Sequence, residues 1–279
     1  MQEKILELNK VHLGDCFEIL KNNIPDNSID LIFTSPPYAE RRKKTYGGVS
    51  ADKYVEWFLP IASELKRILK PTGSFFLNIK PDTNEGERRL YVFELVIALK
   101  KELGFLFVDE YCWTKNAFPG ALKGRFKNGF EPVYHFTKIS PNDIKFHPIA
   151  CGTPIKEESL KRARRKQSGT PDNGSGMAAL RADNLLNIVT ARPSNVINVN
   201  NVSNQFSDKK LHSGTFPEGL PEFFIKSFTN IGDVVLDPFS GSGTTGLVAK
   251  KLNRDYILID KEESCFELSK KRTESYEHF

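Results

Sequence analysis

Gly232-Asp233-Val234-Val235-Leu236-Asp237-Pro238-Phe239-Ser240-Gly241-Ser242-Gly243-Thr244-Thr245-Gly246 decides the fold. Its first six residues read as a buried strand, because a short apolar run bounded by turn residues can be covered on both faces. The glycine-rich run cannot continue that strand and makes a loop. A helix follows through Leu252, then Asp255-Tyr256-Ile257-Leu258-Ile259-Asp260 as the next strand, and a helix closes the chain. Strand, glycine loop, helix and a strand ending in an acid form a nucleotide-type crossover.

Gly241-x-Gly243-x-x-Gly246 formally matches the dinucleotide fingerprint, and Asp260 stands near the expected ribose-binding place. Asp237 argues against a dinucleotide, since a carboxylate at the mouth of the loop repels a pyrophosphate and favours a cation. S-adenosylmethionine is such a ligand, with a sulfonium, an ammonium, a ribose and an adenine but no phosphate. On that reading the Gly241–Gly243 backbone admits the methionine end closely and Asp260 accepts the ribose hydroxyls. Phe239 and Phe216 become apolar walls, ordinary core packing being their plainer use.

Far upstream, Ser28-Ile29-Asp30-Leu31-Ile32-Phe33 reads as another buried strand, stopped by Thr34-Ser35-Pro36-Pro37-Tyr38. Each proline holds φ near about −65° and removes an N–H. The result is a rigid turn at the carboxyl end of a strand, where open α/β sheets place their ligands. It presents the Ser35 hydroxyl, the Ser35 and Pro36 carbonyls and the Tyr38 ring. These parts suit a planar amino-bearing ring. The exocyclic amine of a nucleobase is a poor nucleophile because its lone pair is delocalised. Two acceptors on its hydrogens draw the nitrogen toward a tetrahedral state, and an aromatic ring holds the base by stacking. A strand-ending turn or a proline-rich ligand for another domain is the plainer alternative, and the glycine loop at the far end of the chain outweighs it.

The 279 residues fit one large α/β domain, or one domain with an insertion, and a 39% hydrophobic content excludes global disorder. No apolar run approaches the roughly 20 residues that span a bilayer, and Met1-Gln2-Glu3-Lys4 lacks a signal-peptide pattern. Cys16, Cys112, Cys151 and Cys265 are scattered without metal-ligand spacing. The expectation is a reduced, cytoplasmic protein with neither structural metal nor membrane association. A net charge of +5 permits a nucleic-acid partner without demanding one.

Residues 4–16 carry a first strand pair, after which Asp15 either caps a helix or meets a ligand amine. A helix is expected over 51–69, with Trp57, Leu59, Ile61, Leu65 and Ile68 near one face and Pro71-Thr72-Gly73 ending it. Strands are expected at 74–79, 105–113 and 131–138, the last two as an antiparallel pair, with a helix over 90–103 closed by Gly104. Arg41, Arg42, Lys43 and Lys44 adjoin the turn and read as phosphate contacts. So does Arg125, in a glycine-rich basic stretch. From 139 to 204 periodicity is weak, and Lys161, Arg162, Arg164 and Arg165 crowd together before a polar tract. That is too long for an ordinary connection and reads as an inserted recognition segment. The expected organisation is a catalytic half at 1–138, a target-recognition insertion at 139–204 and a cofactor-binding half at 205–279.

The chain resembles the β-class S-adenosylmethionine-dependent DNA amino-methyltransferases of restriction–modification systems. The carrying residues are Thr34 to Tyr38 and Asp237 to Thr245, in the order that defines the permuted β class. Gly14-Asp15-Cys16, Leu69 to Ser74, Glu131-Pro132 through Lys138, Phe216-Pro217 and Leu220-Pro221 add to it. The resemblance implies a Rossmann-like methyltransferase: a doubly wound mixed sheet with an inserted target-recognition region. It implies duplex DNA as substrate, a base flipped into the pocket and direct transfer from sulfur to nitrogen. It also implies a cognate restriction endonuclease in the same system, without a stable complex. Ser-Pro-Pro-Tyr looks like the cytosine-N4 branch, as does the basic loop before Tyr46-Gly47, although some Ser-Pro-Pro-Tyr enzymes methylate adenine N6. By resemblance, Ser35, Pro36, Pro37 and Tyr38 serve catalysis and Asp15 the cofactor adenine. Asp237, Gly241, Gly243, Thr244 and Asp260 hold the rest of the cofactor. Leu258 departs from the family, which often has glycine there.

Three rivals remain at this stage: a methyltransferase acting on RNA or on a protein amide, an inactive DNA-binding relative, and a nicotinamide-dependent oxidoreductase. Asp237 and the double-proline turn disfavour the last. No Pro-Cys pair occurs, which disfavours cytosine-C5 chemistry.

Overall fold

The computed structural model describes residues 7–39, 48–115, 124, 126–155, 157–158, 190–199 and 215–276. Two compact units emerge, one of Met1–Phe146 with Asn195–Phe279 and one of His147–Ser194.

The larger unit is built on a mixed eight-stranded sheet. In chain order its elements begin with β1 (Lys10–Leu13), α1 (Cys16–Asn23), β2 (Ile29–Thr34), α2 (Tyr54–Ile68) and β3 (Leu69–Asn78). A short ribbon of β4 (Thr83–Asn84) and β5 (Glu87–Arg88) precedes α3 (Tyr91–Lys101), β6 (Leu106–Thr114) and β7 (Phe130–Thr137). In the smaller unit, β8 (Thr153–Pro154) pairs antiparallel with β9 (Thr190–Ala191). Back in the larger unit follow β10 (Val196–Asn198), α4 (Gly219–Phe228), β11 (Val234–Asp237), α5 (Thr244–Lys251), β12 (Asp255–Asp260) and α6 (Glu263–Glu274).

The sheet order is β1-β12-β11-β2-β3-β7-β6-β10. The run from β1 to β3 is parallel, β7 lies antiparallel between β3 and β6, and β10 is parallel to β6. Alternation along the buried strands divides the core into two layers. Ile32, Phe75, Leu77, Leu236, Ile257 and Ile259 pack with α1, α2 and α3. Leu31, Phe33, Phe76, Val235 and Leu258 pack with α4 and α5. The buried stripe of α2 is Tyr54, Phe58, Ile61, Ala62, Leu65 and Ile68, while Trp57 and Leu59 are only half-buried. That corrects the face expected from sequence.

Two other local expectations change. The first strand pair is instead a single strand in the described region, β1, whose partner β12 lies near the far end of the chain. Pro71-Thr72-Gly73 does not separate helix from strand, because β3 begins at Leu69 directly after α2 and runs through all three residues. A register break against β2 between Ile29 and Leu31 absorbs them. Gly73 is needed there, since a Cβ would lie 2.7 Å from the Asp30 carbonyl oxygen. Of the segment 139–204, residues up to Phe146 and from Asn195 belong to the larger unit. Among the described residues, no helix is long and apolar enough to cross a membrane.

Candidate active site

β2 and β11 are parallel neighbours, so the loops leaving their carboxyl ends open side by side. Asp237, the last residue of β11, joins them. Its Oδ1 accepts from Thr34 Oγ1 at 2.7 Å and from the Phe239 N–H at 3.1 Å, and its Oδ2 accepts from Thr245 Oγ1 at 2.7 Å. Thr34 ends β2 and Thr245 lies in the first turn of α5, so one carboxylate ties the proline turn to the glycine loop. Burial pushes Asp237 up to about 6, against the pull of its three donors. Asp237 has no exposed surface, so its carboxylate acts on the loop through its field and through the residues it holds.

In the turn, Pro36 is buried and Ser35, Pro37 and Tyr38 are half-buried. The Pro37 carbonyl accepts from Tyr54 Oη at 2.7 Å, and the Ser35 hydroxyl is hydrogen-bonded to the Tyr38 phenol. Tyr38 Oη donates to Glu131 Oε2 at 3.4 Å. Glu131 in turn binds Lys80 and, at 2.7 Å, Lys115. Burial alone would raise Glu131, but the two lysines outweigh it and hold the group below the ordinary glutamate range. Burial drives the Tyr38 phenol well above its ordinary value, so it stays protonated.

In the glycine loop, Gly243 has φ 74°, and a Cβ there would lie 2.4 Å from Ser269 Oγ. Gly246 meets Leu258 in the same way at 2.5 Å, so the leucine that departs from the family pattern fills the space over this glycine. Gly241 differs: its φ is 51° and a Cβ would meet nothing within 4 Å, leaving an open backbone face. Asp260 Oδ2 accepts the Gly241 N–H at 2.8 Å and Oδ1 accepts the Glu262 N–H at 3.0 Å. Ser240 Oγ is buried with no hydrogen-bond partner among the described residues. An open glycine backbone, an unpaired hydroxyl and an acid at the loop mouth fit a small polar cofactor carrying a positive charge.

The other expected residues divide. Thr244 receives Arg272 Nη1 at 3.1 Å and thereby fastens the loop to α6. Phe239 packs on Trp57 and Phe58, ring centroids 5.9 and 6.3 Å away, and Phe216 sits edge-on to Phe33 at 5.3 Å. Asp15 caps α1, its Oδ1 accepting from the Phe17 and Glu18 N–H groups. Arg41, Arg42, Lys43, Lys44, Arg125, Lys161, Arg162, Arg164 and Arg165 lie outside the described residues. Sequence reasoning gave no role to Thr34, Tyr54, Lys80, Lys115 or Thr245. The two threonines flank motifs that were read, so their hydroxyls were findable, whereas Tyr54, Lys80 and Lys115 carry no local signal.

The family model described as DNA methylase, covering N6 and N4 methyltransferases, matches residues 29–271. The type II methyltransferase M.PvuII of Proteus hauseri is 32% identical over 273 residues, covering 90% of this chain and 79% of that relative. The DNA adenine methyltransferase YhdJ of Escherichia coli (strain K12) is 26% identical over 272 residues, covering 95% and 83%. The structure of the PvuII DNA methyltransferase, titled cytosine-N4-specific, superposes with a TM-score of 0.71 at 27% identity, covering 96% of this chain and 87% of that one.

Proposed function

The chain belongs to the DNA methylase family, and from that premise we propose that it methylates the N4 amino group of a cytosine flipped out of duplex DNA, with S-adenosylmethionine as donor. The observation that carries this reading is the side-by-side placement of Ser35-Pro36-Pro37-Tyr38 and the glycine loop, locked together through Asp237. Likeness to a cytosine-N4-specific enzyme supports the choice of base.

Bound at the glycine loop, the cofactor supplies a methyl group made electrophilic by its sulfonium. Gly241, Ser240 and Asp260 would hold it, a role supported by the open Gly241 backbone and the unpartnered Ser240 hydroxyl among the described residues. Ser35 Oγ and the Ser35 and Pro36 carbonyls accept from the amine and orient its lone pair, and Tyr38 supports the ring. On this reading the methyl group would pass from sulfur to the amine nitrogen, and the amine's surplus proton would leave to water. Serine is a weak base, so the work is orientation and hydrogen bonding. Adenine N6 is the second reading, favoured by likeness to an adenine enzyme. A cognate endonuclease acting on the same site without stable association completes the proposal, supported by relatives that carry type II names.

Incubation with tritiated S-adenosylmethionine and unmethylated genomic DNA, followed by nucleoside chromatography with mass detection, tests the base. Label in N4-methylcytosine is expected, and label in N6-methyladenine overturns the base assignment. Ser35→Ala should lose about a hundredfold in turnover while still binding the cofactor, and near-normal turnover refutes its role.

A further inference from the structure

Two prolines in succession rob the active-site turn of the N–H groups that would tie it to its surroundings at positions 36 and 37. Its position therefore depends on side chains that grip it at both ends. Before it, Thr34 Oγ1 is fixed to the buried Asp237. After it, the Pro37 carbonyl is fixed by Tyr54 Oη at 2.7 Å. Tyr54 has no exposed surface, and its ring is wedged against Tyr91 and Trp57, with centroids 4.8 and 5.3 Å away. Trp57 in turn packs on Phe239 of the cofactor loop.

We propose that Tyr54 is a positioning residue for methyl transfer, its hydroxyl clamping the Pro37 carbonyl so that the Ser35–Pro36 acceptors meet the target amine in register with the cofactor. The inference rests on the proposed DNA amino-methyltransferase reading. A bidding carbonyl left loose at position 37 lets the turn drift, and a shift of about 1 Å at the reacting centre costs on the order of a hundredfold in rate. The loss of one buried hydrogen bond leaves the rest of the core packing in place, so a modest fall in melting temperature is expected beside a larger loss of transfer by the folded protein.

The test compares wild type with Tyr54→Phe, which deletes only the hydroxyl, and with Thr34→Val and Thr34→Ser at the opposite clamp. Each is measured for S-adenosylmethionine affinity by calorimetry, for melting temperature, and for single-turnover methyl transfer to saturating DNA. Tyr54→Phe is expected to slow transfer at least about tenfold with cofactor affinity within about twofold. Thr34→Val should slow it similarly and Thr34→Ser should restore it. Transfer by Tyr54→Phe within twofold of wild type overturns the proposal, as does a rate loss matched by an equal loss of cofactor affinity or of folded protein. A wild type that binds the cofactor but labels no DNA defeats the underlying reading, and the clamp with it. A labelled wild type with an unaffected Tyr54→Phe defeats the clamp alone.

Discussion

Asp30 and Asp237 sit in neighbouring parallel strands, both without exposed surface, yet they have opposite electrostatic fates. Asp30, at the amino end of β2, binds Lys70 and Lys145 at 2.7 Å each and accepts the Val234 N–H at 3.0 Å. Lys145 also bridges to Asp233. Burial would raise Asp30, but the lysines and the N–H win and lower it. Asp237, at the carboxyl end of β11, has only hydroxyl and N–H donors among the described residues and is pushed up to about 6 by burial. At Asp237 the hydrogen bonds favour the charged form without overcoming burial, whereas at Asp30 the two lysines together with the N–H overcome it. One end of the sheet is neutralised for stability, while the other keeps an uncompensated charge where a cationic cofactor is proposed to bind.

The largest effect expected is at the neutralised end. Asp30→Ala strands two lysines and an N–H, and should cost about 3 kcal/mol, or roughly 6–10 °C in Tm, with cofactor affinity of the folded protein unchanged. Thermal melts with calorimetry decide it, and a cofactor effect would erase the contrast between the two ends. Next, Asp237→Asn should weaken S-adenosylmethionine binding roughly tenfold, as one charge acting over several ångströms predicts, and weaken S-adenosylhomocysteine, which lacks the sulfonium, less. Equal losses for both would mean that Asp237 acts only by holding the loop.

The pH dependence sharpens the comparison. A raised carboxylate stabilises the fold when protonated, so the free protein should gain stability from Asp237 as pH falls through about 6 toward the ordinary carboxylate value near about 4. Over the same range its cofactor affinity should fall, while Asp237→Asn stays flat. Asp30 runs the other way: its lowered value contributes stability above the unfolded value of about 4, lost as pH falls through its lower folded value. Melts and binding titrations between pH 5 and 8, and melts below 4, separate the two. The smallest effect belongs to Lys70→Met, about 1 kcal/mol or less, because Lys70 is partly exposed and Lys145 remains on Asp30.

The strand–loop–helix–strand unit of β11, α5 and β12 was legible because every part of it is local: the apolar run, the glycines that must turn, the closing acid. The Ser35–Tyr38 turn was legible for the same reason. Asp30 was not, since an acid in an apolar strand gives no hint of lysines 40 and 115 residues away. Tyr54 read as one more residue of an amphipathic helix, and only packing reveals where its hydroxyl ends. The Pro71-Thr72-Gly73 stretch misled because its residues usually interrupt structure, while here a register break in the sheet accommodates them. Asp15 could be read two ways; its Oδ1 caps α1, which bears out the local reading and leaves the cofactor reading a proposal.

The pairing of β1 with β12 has a consequence for biosynthesis. A ribosome delivers residues at about 5–20 per second, so β1 waits on the order of tens of seconds before its one sheet neighbour among the described residues is made. During that interval the strand lacks the edge it joins in the folded protein, and the described sheet is completed on that side when β12 emerges. A chaperone that shelters the nascent amino-terminal segment should therefore raise the yield of active protein more than one acting after release.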